Sequence, residues 1–151
     1  MLPPAVLWID PGGMTGLARL ERGTFTVDER AFQAAGDFIV GMTHYYGPML
    51  AVGWERFTIF ADTHKYTQQP EALEIIGLAR YHATANRCRI LPEQEQMTPK
   101  PGDRRKLEAL GWWLPGRNDA QSAANHMLVW LMRNGELPPR ERGLLASAVA
   151  Q

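Results

Sequence analysis

Three acidic residues stand where a carboxylate can do chemistry. Asp10 closes the apolar run Val6-Leu7-Trp8-Ile9 and is followed at once by Pro11-Gly12-Gly13. Glu55 closes a second short apolar run, Met49 to Trp54, and Asp119 opens the segment Asp119-Ala120-Gln121-Ser122-Ala123. A charge placed where a buried strand becomes a loop is costly unless it is paired, and a bound cation relieves that cost. Each residue also has a plainer reading. Asp10 can cap its own Pro-Gly turn, Glu55 can pair with Arg56, and Asp119 can serve the positive end of a helix. Taken jointly, three converging carboxylates without a His or Cys partner are hard oxygen ligands suited to Mg²⁺ or Mn²⁺. Two such ions about 3.5–4 Å apart activate a water and stabilise the leaving oxygen in phosphodiester cleavage.

The elements that must bring these residues together are legible in order. Residues 5–10 read as a strand buried on both faces, 15–21 as a second strand and 24–32 as a third, with Glu21-Arg22-Gly23 as the hairpin turn. Helical spacing covers 34–46 and stops at Gly47-Pro48; residues 49–54 form the next strand. Residues 57–69 are polar and aromatic without period and read as a surface loop. A helix starting at Pro70 runs to about Asn86, a short strand covers 89–92, and 93–102 is loop. Asp103 is placed to cap a helix over 104–110, and Asn118 to cap a final helix over 119–133. A right-handed crossover allows strands one and four to be parallel neighbours; if they are, Asp10 and Glu55 leave the sheet at one edge, onto which the last helix could bring Asp119. On the last helix Asp119, Ala123, His126 and Trp130 share a face; His126 lies two turns, about 10 Å, from Asp119, which reads as a core or surface histidine rather than a partner in one small ion site.

At 151 residues with 45% hydrophobic content, the chain has the composition of one soluble domain. Residues 1–135 are expected to form it, with 136–151 as a tail that is either a short helix or disordered. The single cysteine, Cys88, excludes an internal disulfide. No apolar run reaches membrane-spanning length and the N-terminus lacks signal-peptide features, so the expectation is a cytoplasmic protein without membrane contact. Net charge is zero, but unevenly spread: residues 1–79 hold 5 Lys/Arg against 9 Asp/Glu, and residues 80–117 hold 8 against 4. A basic middle segment beside an acidic first half fits a polyanion track next to metal-binding carboxylates; it also fits ordinary solvated surface.

Ile9-Asp10-Pro11-Gly12 with Thr15-Gly16, then Glu55 with Phe57 and Phe60, then Ile76-Gly77-Leu78-Ala79-Arg80, and finally Asn118-Asp119-Ala120-Gln121-Ser122-Ala123 together resemble the RuvC-type Holliday junction resolvases of the ribonuclease H-like superfamily. The run Gly111-Trp112-Trp113-Leu114-Pro115-Gly116-Arg117-Asn118-Asp119-Ala120 and the short loops look like the compact versions carried by bacteriophages. The resemblance spans about residues 5–133. It implies an α/β fold with a mixed five-stranded sheet, its first three strands antiparallel, flanked by helices. It further implies a homodimer that cleaves branched DNA with two Mg²⁺ or Mn²⁺ ions, in phage DNA recombination or packaging. Asp10, Glu55 and Asp119 take the family's metal-ligand positions, and Lys100 is the match for its catalytic lysine. The family carries a further acid beside the last; here Asn118, Ser122 or His126 would have to substitute. Phe57, Phe60 and Tyr66, with Lys65, Arg80, Lys100, Arg104, Arg105 and Lys106, are the candidate DNA contacts, by stacking on exposed bases and by pairing with phosphates. Two other readings stay open: a YqgF-like RNA-processing nuclease, which shares the Asp-x-Gly opening, and a branched-DNA-binding accessory protein without catalysis.

Overall fold

Five consecutive buried residues, Ala5 to Ile9, need apolar cover on both faces of one strand, and two helical layers supply it. The computed structural model describes residues 1–57, 70–96 and 100–151. Strand β1 (Ala5–Asp10) lies in the middle of a five-stranded sheet of order β3-β2-β1-β4-β5. β2 (Met14–Glu21) pairs antiparallel with β1, and β3 (Thr24–Ala31) antiparallel with β2. β4 (Leu50–Trp54) and β5 (Arg89–Ile90) run parallel to β1. Arg22 (φ 50°) and Gly23 (φ 84°) both take left-handed backbone at the β2–β3 turn, the pattern whose twist suits a two-residue hairpin. The mixed sheet with an antiparallel first half is therefore as the sequence implied.

Helices α1 (Phe32–Tyr46) and α2 (Pro70–Ala85) cover one face, and α4 (Asn118–Arg133) covers the other. The period of two along β1 decides the partition. Ala5, Leu7 and Ile9 pack with Val52, Trp54, Ile39 and Ile75 on the first face. Val6 and Trp8 pack with Ala18, Leu20, Ala123, Ala124 and Met127 on the second. Small residues on α4 let its axis lie close to β1 and β2.

Several boundaries differ from expectation for identifiable reasons. Helix α3 begins at Pro101 rather than Arg104 and ends at Leu110. Asp103 sits inside its first turn and accepts the Lys100 backbone N–H at 2.9 Å, so it closes the turn from within instead of capping ahead of it. Asn118 likewise lies inside α4; the flanking residue is Arg117, and no side chain of that flank caps the helix. β5 is shorter than expected, but an isolated parallel bridge between Glu55 and Gln94 continues the alignment. Residues 139–149 form a further helix, α5 (Pro139–Val149), and Leu137 and Leu145 join the core under α4. No helix among the described residues is long and apolar enough to cross a membrane.

Candidate active site

Asp10, Gly16 and Glu29 lie directly opposite one another on three adjacent strands, and opposed residues point to the same face. That face is the one covered by α4. Glu55 extends the row on the other side, its N–H donating to the Ile9 carbonyl at 3.0 Å. Gly16 makes the arrangement possible. A Cβ there would stand 1.9 Å from the Asp119 carbonyl oxygen, so only glycine lets the first turn of α4 rest on the sheet. The loop between β1 and β2 is held by Thr15, a fully buried residue whose Oγ1 donates to the Gly12 carbonyl at 3.0 Å. The sequence Asp-Pro-Gly-Gly-Met-Thr-Gly thus specifies a carboxylate, a pinned turn and a helix seat within seven residues.

Asp10, Glu55 and Asp119 line one cleft of about 620 Å³, together with Pro11, Gly12, Met14, Phe57, Trp113 and Ser122. Burial first, then the Glu55 and Asp119 carboxylates, push the Asp10 carboxyl up to about 8, while the Ser122 hydroxyl offsets part of that rise. Asp119 is raised as well, by burial, then by Glu29 and Glu55. Among the described residues no three Asp, Glu, His or Cys side chains close on a single point tightly enough to enclose an ion as they stand. Their chemistry nevertheless fits a divalent cation. Mutually repelling, half-buried oxygen donors, with no Lys or Arg among the described residues of the cleft lining, are the set that a hard cation neutralises.

His126 is fully buried, and both ring nitrogens are engaged. Nε2 lies 2.6 Å from Glu55 Oε2 and Nδ1 lies 2.9 Å from Gln94 Oε1. The Gln94 amide donates to the His126 carbonyl at 2.9 Å. With the amide so oriented, its oxygen faces Nδ1. Trp8 stacks on the imidazole at 6.0 Å, and Trp8 in turn fits only because Gly53 offers no Cβ, which would meet its ring at 2.6 Å. His126 is therefore a core histidine; the sequence reading left core and surface open and did not foresee its contact with Glu55. Ser122 donates to Glu55 Oε2 at 3.3 Å from one turn above.

The candidate DNA contacts are scattered. Phe57 lines the cleft and packs partly on the core. Phe60, Lys65 and Tyr66 lie outside the described residues. Arg80 is exposed but engaged: it donates to Glu93 Oε1 at 2.9 Å and lies over the Trp54 ring. Arg56 also binds Glu93, so it does not pair with Glu55. The Glu93 carboxyl is held below its ordinary range, chiefly by the Trp54 indole N–H, with Arg56 and Arg80 adding to it. Lys100, just ahead of α3, and Arg104 and Arg105 on it are exposed, with Lys106 half-buried; none of the four lines the cleft. Arg104 lies over Trp113, 5.0 Å from its centroid, and so joins α3 to the cleft wall.

Sequence reading passed over Glu29, whose side chain is 10% exposed. Its Oε2 accepts the Ala120 backbone N–H at 3.3 Å, and its Oε1 lies 3.6 Å from Arg117 Nη1. The signal was present: a two-residue turn at Arg22-Gly23 sets the register that puts Glu29 opposite Gly16. Gln94 was passed over too, and no period or motif in the sequence marks it; Trp113 was read only as part of an apolar connection and not as a cleft residue.

No family model matches this sequence, and no curated protein matches it. Among solved structures, that of T. thermophilus RuvC in complex with a Holliday junction substrate is similar, with a TM-score of 0.53 and 14% sequence identity over 87% of this chain and 96% of that one. With the strand order and directions described above, this likeness establishes the fold: the chain is an α/β protein built on the RuvC-like, ribonuclease H-like sheet.

Proposed function

We propose that this chain is a divalent-metal-dependent endonuclease of branched DNA, with Asp10, Glu55 and Asp119 as its metal ligands. The observation that carries this reading is the convergence of carboxylates from β1, the end of β4 and the start of α4 on one cleft. A divalent ion held there would supply Lewis acidity for phosphodiester hydrolysis. The chain's own groups do the positioning: Thr15 holds the turn beside Asp10, and Ser122, His126 and Gln94 hold Glu55. Outer hydrogen bonds of this kind orient ligand carboxylates. The exposed Lys100, Arg104 and Arg105 are assigned to phosphates flanking the cut, and Phe57, Phe60, Lys65, Tyr66, Arg80 and Lys106 to the rest of the DNA surface. The RuvC structure similar in fold holds a Holliday junction substrate, which supports branched DNA as the substrate class. A four-way junction has two-fold symmetry, so paired cuts call for two copies of the chain.

The test is cleavage of a labelled four-way junction against linear duplex, with Mg²⁺, Mn²⁺ or EDTA. Paired symmetric nicks confined to the junction and to metal are expected, and Asp10→Asn should abolish them while junction binding persists. Cuts unaffected by EDTA or by Asp10→Asn would overturn the site. Binding without cutting in either metal would favour the accessory reading instead.

A further inference from the structure

We propose that Glu29, a carboxylate on β3, is the positioning residue for Asp119: it holds the first turn of α4 on the sheet and so sets where Asp119 enters the cleft. The inference rests on the metal-site reading above and deepens it. The first amides of any helix lack partners within the helix, and α4 receives no capping side chain from its own flank. Glu29 Oε2 takes the Ala120 N–H from 91 residues away in sequence. A carboxylate in that position also suits the positive end of the helix. Asp119 is the residue directly before the amide that is held, so any drift of the first turn moves its side chain.

The seat has little freedom. Glu29 lies opposite Gly16, and the Asp119 carbonyl occupies the space that a Gly16 side chain would fill. The Arg117 guanidinium, 3.6 Å from the other Glu29 oxygen, keeps this buried carboxylate from standing unpaired. Glu29 does not line the cleft. Its direct partners are the Ala120 amide and Arg117, so its role is exerted through Asp119. What it contributes is a hydrogen-bond acceptor at a fixed reach, which defines how its variants must behave. Glu29→Gln keeps the reach and an accepting oxygen but drops the charge; Glu29→Asp keeps the charge and shortens the reach by one methylene.

The experiment is Mn²⁺ titration of the metal-free full-length chain by calorimetry, with circular dichroism to establish folding. Glu29→Gln should bind Mn²⁺ within about threefold of the wild type, while Glu29→Asp and Glu29→Ala bind about tenfold more weakly, the range seen when outer-shell partners of metal ligands are lost. In an Asp119→Ala background, Glu29→Asp should add nothing further, because the two act through one group. If Glu29→Asp binds like the wild type, or if Glu29→Gln falls as far as Glu29→Asp, the proposal is wrong. A wild type that binds no Mn²⁺ would overturn the metal reading, not the clamp. The clamp is then decided by hydrogen exchange at the Ala120 amide, which should be slow in the wild type and Glu29→Gln and about tenfold faster in Glu29→Asp. Equal exchange in all three would overturn it.

Discussion

At the scale of single residues, Asp10 is held where its own charge is disfavoured, and this has a consequence for stability. Its carboxyl is raised from 3.8 to about 8 by burial and by neighbouring carboxylates. Between those values the native state keeps a proton that the unfolded chain has released, so stability falls as pH rises. The cost is absent below about pH 4, grows through neutrality and is complete above about pH 8. In EDTA, the thermal midpoint should drop by about 5 °C or more between pH 5 and pH 8. Asp10→Asn should remove most of that drop, and Mn²⁺ should raise the wild-type midpoint at pH 8 but not that of the variant. Scanning calorimetry checks this; an equal fall in both proteins would mean that Asp10 is not its source. Such a trade of stability for a charged site is expected where carboxylates are gathered for a cation.

At the scale of elements, the site depends on how closely α4 sits on β2. Gly16→Ala would place a methyl group on the Asp119 carbonyl, and backbone cannot give way as a flexible side chain can. The expected loss is about 3 kcal/mol in urea unfolding, with cleavage lost as Asp119 is displaced. Gly13→Ala is the control, since nothing lies within 4 Å of a Cβ there; its effect should stay within about 0.5 kcal/mol. Equal effects of the two substitutions would mean that α4 can shift without cost. The Glu55–His126–Gln94 chain belongs to the same scale, because it ties β4, α4 and the segment after β5 through fully engaged buried groups. Half-satisfied, such a network would be a liability; complete, it holds Glu55 in one orientation.

At the scale of the whole molecule, residues 136–151 carry a helix that packs on the core beneath α4. Leu137 and Leu145 pack into the same core as Leu107 on α3 and Leu131 on α4. The sequence reads residues 136–151 as a tail, either a short helix or disordered; the helix is the form found, and its packing on the core argues that removing it is costly. A chain ending at Gly135 should lose about 3 kcal/mol or more through the exposed apolar face, measured by denaturant midpoint. A midpoint unchanged within about 0.5 kcal/mol would restore the separable tail. Charge at this scale is balanced overall, so the exposed cations of α3 contribute locally, next to the cleft wall at Trp113, and not as a global basic surface.

What the sequence determined by itself is the sheet and the places where its chemistry emerges. Apolar runs of strand length, a two-residue turn and helical spacing are local signals, so β1 to β4, α1, α2 and the positions of Asp10, Glu55 and Asp119 at element ends could be read directly. Helix starts were read less well, because Asp103 and Asn118 look like caps from either side of the boundary and only the backbone path decides between them. The partners of the three carboxylates belong to tertiary structure alone. Glu29 reaches Ala120 across 91 residues, and His126 and Glu55 meet across 71. Neither contact has a period or a motif, since each follows from how strands align in register and how closely a helix of small residues can approach them.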